Sequence, residues 1–167
     1  MRIAIMSDSH DNIWKMAEAM PYLEAADAVL HCGDLVAPFM ILRLIKGTGG
    51  KPVHIVWGNN DGDKVALSQV AATTDHIHLH GELAEIELDG LKIAMNHYPK
   101  IARGLALSGR YDLVCYGHDH TAHEEWIAET LLLNPGEIMG LNGRSTLAIL
   151  ETKTRAVAWV EVGHYPG

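Results

Sequence analysis

Ile3-Ala4-Ile5-Met6-Ser7-Asp8-Ser9-His10 opens the chain with an apolar run that stops on a carboxylate and an imidazole. A second run, Ala28-Val29-Leu30-His31-Cys32-Gly33-Asp34, stops in the same way. Runs this short, with this β-branched content, suit buried strands better than helices. Three more follow, at Val53–Trp57, Leu91–Met95 and Leu113–Tyr116. Helical patterns separate the early ones. Ile13, Met16, Ala17, Met20 and Leu23 recur at helical spacing, with Pro21 expected to break or bend that segment. Pro38 stands where a helix begins and Gly47 where it stops. Val65–Ala72 and Ile101–Leu107 read as two further helices, the second opened by Pro99. The early order β-α-β-α-β-α predicts parallel strands with helical crossovers.

From His76 the texture changes. Leu83–Leu88 alternates apolar with acidic residues, and Asp89-Gly90 is a two-residue hairpin signal into Leu91. Thr130–Leu133, Ser145–Leu150 and Ala156–Val162 read as strands, with turns at Asn142-Gly143 and Thr152-Lys153. This half is expected to be largely antiparallel. A single domain over residues 1–167, with two sheets sharing one core and helices outside, is the economical architecture.

Composition narrows the function. Of 167 residues, 48% are hydrophobic and 20% charged, an ordinary globular balance. The net charge of -8 argues against a broad basic surface for nucleic acid. No stretch approaches the ~18 consecutive apolar residues of a membrane span, and the start does not read as a signal peptide, so a cytoplasmic protein is expected. Cys32 and Cys115 lie far apart inside apolar runs and read as buried, reduced thiols.

The chain has 11 histidines, and histidine is the commonest metal ligand. Asp8 and His10 follow the first run, Asp34 the second, and Gly58-Asn59-Asn60-Asp61 the third. His97 ends the fourth, and Gly117-His118-Asp119-His120 the fifth. Ligands of open α/β sheets bind outside the carboxyl ends of strands, so five such endings converge on one site. Gly33, Gly58 and Gly117 are expected to let the backbone turn sharply there. His118 and His120 would share a face if extended. Carboxylate and imidazole without thiolate suit Mn²⁺, Fe, Ni²⁺ or Zn²⁺. Seven ligands suit two ions sharing a bridge, and Asp34, with two carboxylate oxygens, is the candidate bridge. His76, His78 and His80 share a face but read as a solvated strand, and His31 as support for the ligands. His54, His123 and His164 are expected to be structural or exposed. The four tryptophans read as core or interface aromatics.

The ordered set Asp8-x-His10, Gly33-Asp34, Gly58-Asn59-x-Asp61, His97 and Gly117-His118-x-His120 resembles the calcineurin-like metallophosphoesterase superfamily, in its small prokaryotic phosphodiesterase branch. The likeness runs from residue 1 through Asn134-Pro135-Gly136. It implies an α/β fold of two mixed β-sheets packed as a sandwich and flanked by helices in four layers. It also implies a dinuclear phosphoesterase, a phosphodiesterase by preference, with a small phosphate-ester substrate and no membrane partner; a homo-oligomer is left open. By the resemblance one divalent ion takes Asp8, His10, Asp34 and His120, and the other Asp34, Asn59, His97 and His118. A water between the ions then attacks phosphorus. Asn60 and Asp61 are the candidate catalytic residues. Where many relatives carry a histidine that protonates the leaving group, this chain has Asn60, which donates a hydrogen bond but no proton. Tyr98, Asp119 and Glu137 are further departures, of which Tyr98 is expected to narrow the pocket. The rival readings are a phosphomonoesterase and a non-catalytic scaffold on the same fold.

Overall fold

The computed structural model describes residues 1–163, so His164 lies outside the described residues. The order is β1 (Arg2–Met6), α1 (Ile13–Glu24), β2 (Ala28–His31), α2 (Pro38–Gly47), β3 (Val53–Ile55), α3 (Lys64–Ala71) and β4 (Ile77–Leu79). It continues through β5 (Leu83–Leu88), β6 (Leu91–Asn96), α4 (Pro99–Leu107), β7 (Leu113–Cys115), β8 (His123–Ile127), β9 (Thr130–Asn134), β10 (Thr146–Glu151) and β11 (Ala156–Glu161). One sheet runs β11-β10-β1-β2-β3-β4 and the other β5-β6-β7-β9-β8.

Period-two alternation builds the layers. Ile3 and Ile5 of β1 face the second sheet with Leu113 and Cys115 of β7, whereas Ala4 and Met6 face the helices with Met16 and Leu44. Val114 turns the other way, onto Ala102 and Ala106 of α4. The result is α1, α2 and α3, then two sheets, then α4. Strands β1 to β4 are parallel, as expected of helical crossovers. In the second half β5–β6, β8–β9, β10–β11 and β1–β10 pair antiparallel, as expected, but two pairs do not. The β6–β7 and β7–β9 pairs are parallel, because α4 carries the chain from β6 to β7 and β8 intervenes before β9.

Other local expectations shift with tertiary packing. The helix α1 continues through Pro21 to Glu24, with Met16, Ala19 and Leu23 buried on one face. That apolar face outweighs the lost backbone bond. Asp89 and Gly90 both have positive φ (50° and 82°), the geometry of a type I′ turn. Strand β8 has no apolar run to announce it, being an edge strand with His123 and Glu124 exposed. None of the tryptophans is core: Trp14, Trp126 and Trp159 are 74%, 52% and 41% exposed and Trp57 is half-buried. Cys32 and Cys115 are free and fully buried between the sheets, and burial pushes the Cys32 thiol up.

The histidines of β4 are not a solvated face. They are half-buried, and His78 and His80 stack on His54 of β3 with ring centroids 4.8 and 5.1 Å apart. His54 Nδ1 and His80 Nε2 share a 2.9 Å hydrogen bond. Burial, aided by the neighbouring imidazoles, pushes His54 down to about 4 from 6.5. A base depressed in the folded chain binds more protons unfolded, so its stabilisation is lost as pH falls from 6.5 toward 4. Allowing for solvent screening, lowering the pH through that window is expected to cost about 1–2 kcal/mol at this site. Thermal melts of His54→Leu should show a shallower pH dependence there than the parent; an unchanged slope refutes it.

Candidate metal centre

The loops after β1, β2 and β3 of one sheet meet those after β6 and β7 of the other at their carboxyl edges. Backbone bonds join them first. Asp8 N–H donates to the Gly33 carbonyl (3.0 Å), His10 N–H to Asp34 O (3.0 Å) and Gly117 N–H to His97 O (3.1 Å). The His118 amide crosses from the second sheet to Asp8 Oδ2 at 3.1 Å.

The three glycines are needed mainly for space. A Cβ on Gly33 would lie 2.7 Å from His97 Nδ1, on Gly58 2.6 Å from the Asp34 amide, and on Gly117 2.6 Å from Asp8 Oδ2. Of the three, only Gly33 has positive φ (102°). The sharp turning is done by the candidate ligands themselves: Asp8, His10, Asp34, His118 and His120 all have φ between 41° and 75°. His118 and His120 therefore do not sit on an extended strand. Left-handed backbone at non-glycine residues is uncommon and concentrates at functional sites.

These turns gather the side chains. The ligand atoms of Asp8, His10 and His120 lie within 4.8 Å of one another, as do those of Asp8, Asp34 and His97. Asp34 Oδ2 is 3.4 Å from both His10 Nε2 and His97 Nε2, placing it between the two groups. Asn59 Oδ1 is 3.2 Å from His97 Nε2. His118 packs its ring edge-on against His97, with centroids 5.1 Å apart. The ring of Tyr98 stands against both, 5.3 Å from His97 and 5.2 Å from His118, and so walls that side of the centre.

Tautomers decide what the arrangement can hold. His97 Nδ1–H donates to the Cys32 carbonyl at 2.7 Å, so in the neutral ring its Nε2 lone pair faces Asp34 and Asn59 oxygens. His120 Nδ1–H donates to Glu137 Oε2 at 2.5 Å, turning its Nε2 lone pair onto Asp8 Oδ1, 3.3 Å away. In these neutral tautomers acceptor faces acceptor, a repulsion that either a proton on the imidazole or a cation between the atoms relieves. Asp8 Oδ1 and His10 Nε2 are buried without a hydrogen-bond partner. Buried polar atoms left this way are costly unless something fills the gap, and a divalent cation fits the mixed oxygen and imidazole donors. Burial works to raise the Asp8 and Asp34 carboxyls, yet their hydrogen bonds outweigh it and hold both below their usual range, from His10 and Ser7 at Asp8 and from His97 and both amides of Asn60 at Asp34. The Asp8 carboxylate likewise raises His10.

Around this set lies a supporting layer. His31 accepts from Gly33 N–H at Nδ1 (3.2 Å), leaving Nε2–H for Ser9 Oγ (3.2 Å); burial pushes it down to about 4, which keeps it neutral. Asn60 binds Asp34 twice, through its backbone amide to Oδ1 and its side-chain amide to Oδ2, both at 2.8 Å. The buried Asp61 carboxylate accepts four backbone amides: Leu35 and Val36 at Oδ1 (2.7 and 2.9 Å), Asp34 and Gly58 at Oδ2 (3.0 and 2.7 Å). Asp119 Oδ1 accepts from Asn134 Nδ2 at 2.6 Å and ties the His118–His120 turn to the end of β9. Glu137, like Asp119, is a departure to which the sequence assigns no role. It is 1% exposed, and its second oxygen accepts the Asn142 amide at 2.6 Å.

A pair of mixed sheets whose carboxyl edges bring carboxylates and imidazoles together this way defines a metal-centred phosphoesterase architecture. The chain belongs to the calcineurin-like phosphoesterase superfamily, whose domain model matches residues 1–155. It is 32% identical over 160 residues to phosphodiesterase MJ0936 of Methanocaldococcus jannaschii, covering 93% of this chain and 95% of that one. It is 30% identical over 142 residues to a probable metallophosphoesterase, YsnB of Bacillus subtilis, covering 83% and 75%. The structure of an archaeal phosphodiesterase superposes with a TM-score of 0.88 at 30% identity, over 96% of this chain and 99% of the other. Vps29 of Chaetomium thermophilum shares the fold, with a TM-score of 0.69 at 14% identity over 96% of each chain. Among the described residues no helix is long and apolar enough to cross a membrane.

Proposed function

We propose that this protein is a dinuclear metal-dependent phosphodiesterase acting on a small phosphate ester. The observation that carries the reading is the pair of donor groups meeting at Asp8 and Asp34, with Asp8 Oδ1 and His10 Nε2 buried and unpartnered. Asp8, His10, Asp34 and His120 would hold one ion, and Asp34, Asn59, His97 and His118 the other. When bound, such ions supply a nucleophilic water and a positive field for the phosphoryl oxygens, despite the acidic surface. Asn60 fixes the bridging carboxylate and offers no proton, so substrates whose leaving group departs as an anion are favoured. The diester preference is supported by where arginines are spent. Four of the six arginines, Arg103, Arg110, Arg144 and Arg155, pair with Glu125, Glu85, Glu161 and Asp112, Arg144 doing so in a cleft it shares with His120, so no bidentate clamp for a dianionic monoester is assembled among the donor side chains themselves.

The test is hydrolysis of bis(p-nitrophenyl) phosphate against p-nitrophenyl phosphate after reconstitution with Mn²⁺, Ni²⁺, Zn²⁺ or Mg²⁺. Faster, metal-dependent diester turnover is the expected result. Rates at the uncatalysed level across the panel overturn the enzyme reading and leave a scaffold on this fold.

Glu137 orients a ligand in this reading. Removing it frees the His120 ring to turn or change tautomer, and losses of outer hydrogen-bond partners cost roughly 10- to 100-fold in metal affinity. Glu137→Ala should show that loss by calorimetric titration of Mn²⁺, with Glu137→Gln recovering part of it by keeping an acceptor. Wild-type affinity in a folded Glu137→Ala chain rules the role out.

A further inference from the structure

A groove of about 500 Å³ runs between α1 and α2, beginning at Asp11, the residue after the ligand His10. Trp14 stands on one side and Phe39 and Leu42 on the other, and they are 74%, 44% and 42% exposed. Arg43 and Lys46 line the same groove. Phe39, Arg43 and Lys46 fall at i, i+4 and i+7 along α2, so they share one helical face. Neither cation has a hydrogen bond or ion pair among the described residues, in a chain of net charge -8. The one acid in the groove is already engaged, since Asp11 Oδ1 accepts the Ala37 amide at 3.0 Å.

An open indole beside a phenyl ring offers flat apolar faces for stacking, and two unspent cations beside it ask for negative charge. Asp11 lines the groove and is the chain neighbour of His10, so one end of the groove lies a single residue from the candidate metal centre. At that centre nothing on Asn60 protonates a departing group. Together these features describe the leaving group itself.

We propose that the groove is the leaving-group subsite and takes an aromatic group that carries its own negative charge, the chemistry of a nucleoside monophosphate. The base stacks on Trp14 and Phe39, and its phosphate faces Arg43 and Lys46. The assignment rests on the phosphodiesterase reading above. In the hydrolysis it serves, the water oxygen bonds to phosphorus and the bond from that phosphorus to an oxygen of the nucleotide's own phosphate breaks, so the nucleotide departs as a phosphate anion that needs no proton donor. The electron pair stays on the leaving oxygen, and the proton lost from water goes to solvent.

Calorimetric titration of the metal-loaded chain with AMP, adenosine and ribose 5-phosphate tests it. AMP should bind more tightly than either fragment. Trp14→Ala should weaken AMP and adenosine roughly 5- to 100-fold, as loss of one stacked base does, and leave ribose 5-phosphate unchanged. The double variant Arg43→Ala/Lys46→Ala should weaken AMP and spare adenosine. Equal affinities for AMP and ribose 5-phosphate, or no effect of Trp14→Ala and Phe39→Ala, overturn the subsite. So does a dimer in sedimentation that Trp14→Ala dissolves, for the groove is then an interface between copies. If AMP binds as expected but the metal-loaded chain turns over no diester, the groove stands as an aromatic-anion site and the phosphodiesterase reading fails.

Discussion

Asp34→Asn protein is expected to purify with its ions largely lost and its diester turnover reduced by about three orders of magnitude or more. The substitution keeps the shape of the side chain and removes its charge. In the parent, Oδ2 lies 3.4 Å from His10 Nε2 and from His97 Nε2, which belong to different donor groups. An amide group there presents either a neutral oxygen or two N–H donors. The donors would satisfy the imidazole lone pairs that otherwise call for a cation. On the dinuclear reading proposed above, the effect is expected on both ions at once, which truncating His10 or His97 alone would not produce. Because Asn60 can still bond the substituted side chain, folding is expected to survive. Elemental analysis and the diesterase assay on the same preparation decide the matter: a fully metallated, active Asp34→Asn chain removes the bridge.

The second large effect is structural. Asp61→Ala is expected to lose at least about 3 kcal/mol of stability, since each orphaned buried donor costs roughly 1–3 kcal/mol and four are left behind. Against a typical total of ~5–15 kcal/mol this is a substantial fraction. Two of those donors belong to Asp34 and Gly58, on different loops, so the carboxylate clamps the β2–α2 turn to the β3–α3 turn. A third belongs to Val36, whose φ of 84° is a strained conformation for a β-branched residue. Without the clamp Val36 should relax and carry Asp34 with it, so ion affinity falls along with the melting temperature. Asn cannot rescue the position, because its amide nitrogen would meet N–H groups. An Asp61→Ala chain that melts like the parent contradicts this account. All the carboxylate oxygens are taken by backbone, so Asp61 acts through the loops it holds rather than on the reacting atoms.

Much of this was legible in the sequence. Strand-end placement of Asp8, Asp34, His97 and His118 could be read because buried parallel strands show as short apolar runs, and the next residues must then fall at one edge. The parallel β1–β4 arrangement followed from the helical patterns between those runs. Other features leave no local trace. Five ligands turn in the left-handed region, but aspartate and histidine tolerate it without any spacing signal, and the glycines beside them announce a turn they mostly do not make. Glu137 sits 17 positions from His120, and only the folding of the 135–139 segment against Ser7 and Asp8 brings them together. Asp61 showed as a carboxylate in a motif, with nothing to say that backbone amides exhaust it. For Trp14 the sequence left core and interface open, and its ring lies exposed on the outward face of α1.

The close seating of the three glycines has a wider consequence. Each lies against a ligand, or the backbone of a ligand, from a different loop: Gly33 under His97, Gly58 under Asp34, Gly117 under Asp8. The loops are therefore interlocked like the stones of an arch, and a methyl group added at any one displaces a neighbour that the others rest on. Such a centre has few gradual routes of decay, and a descendant chain that loses one of these contacts is free to lose the remainder.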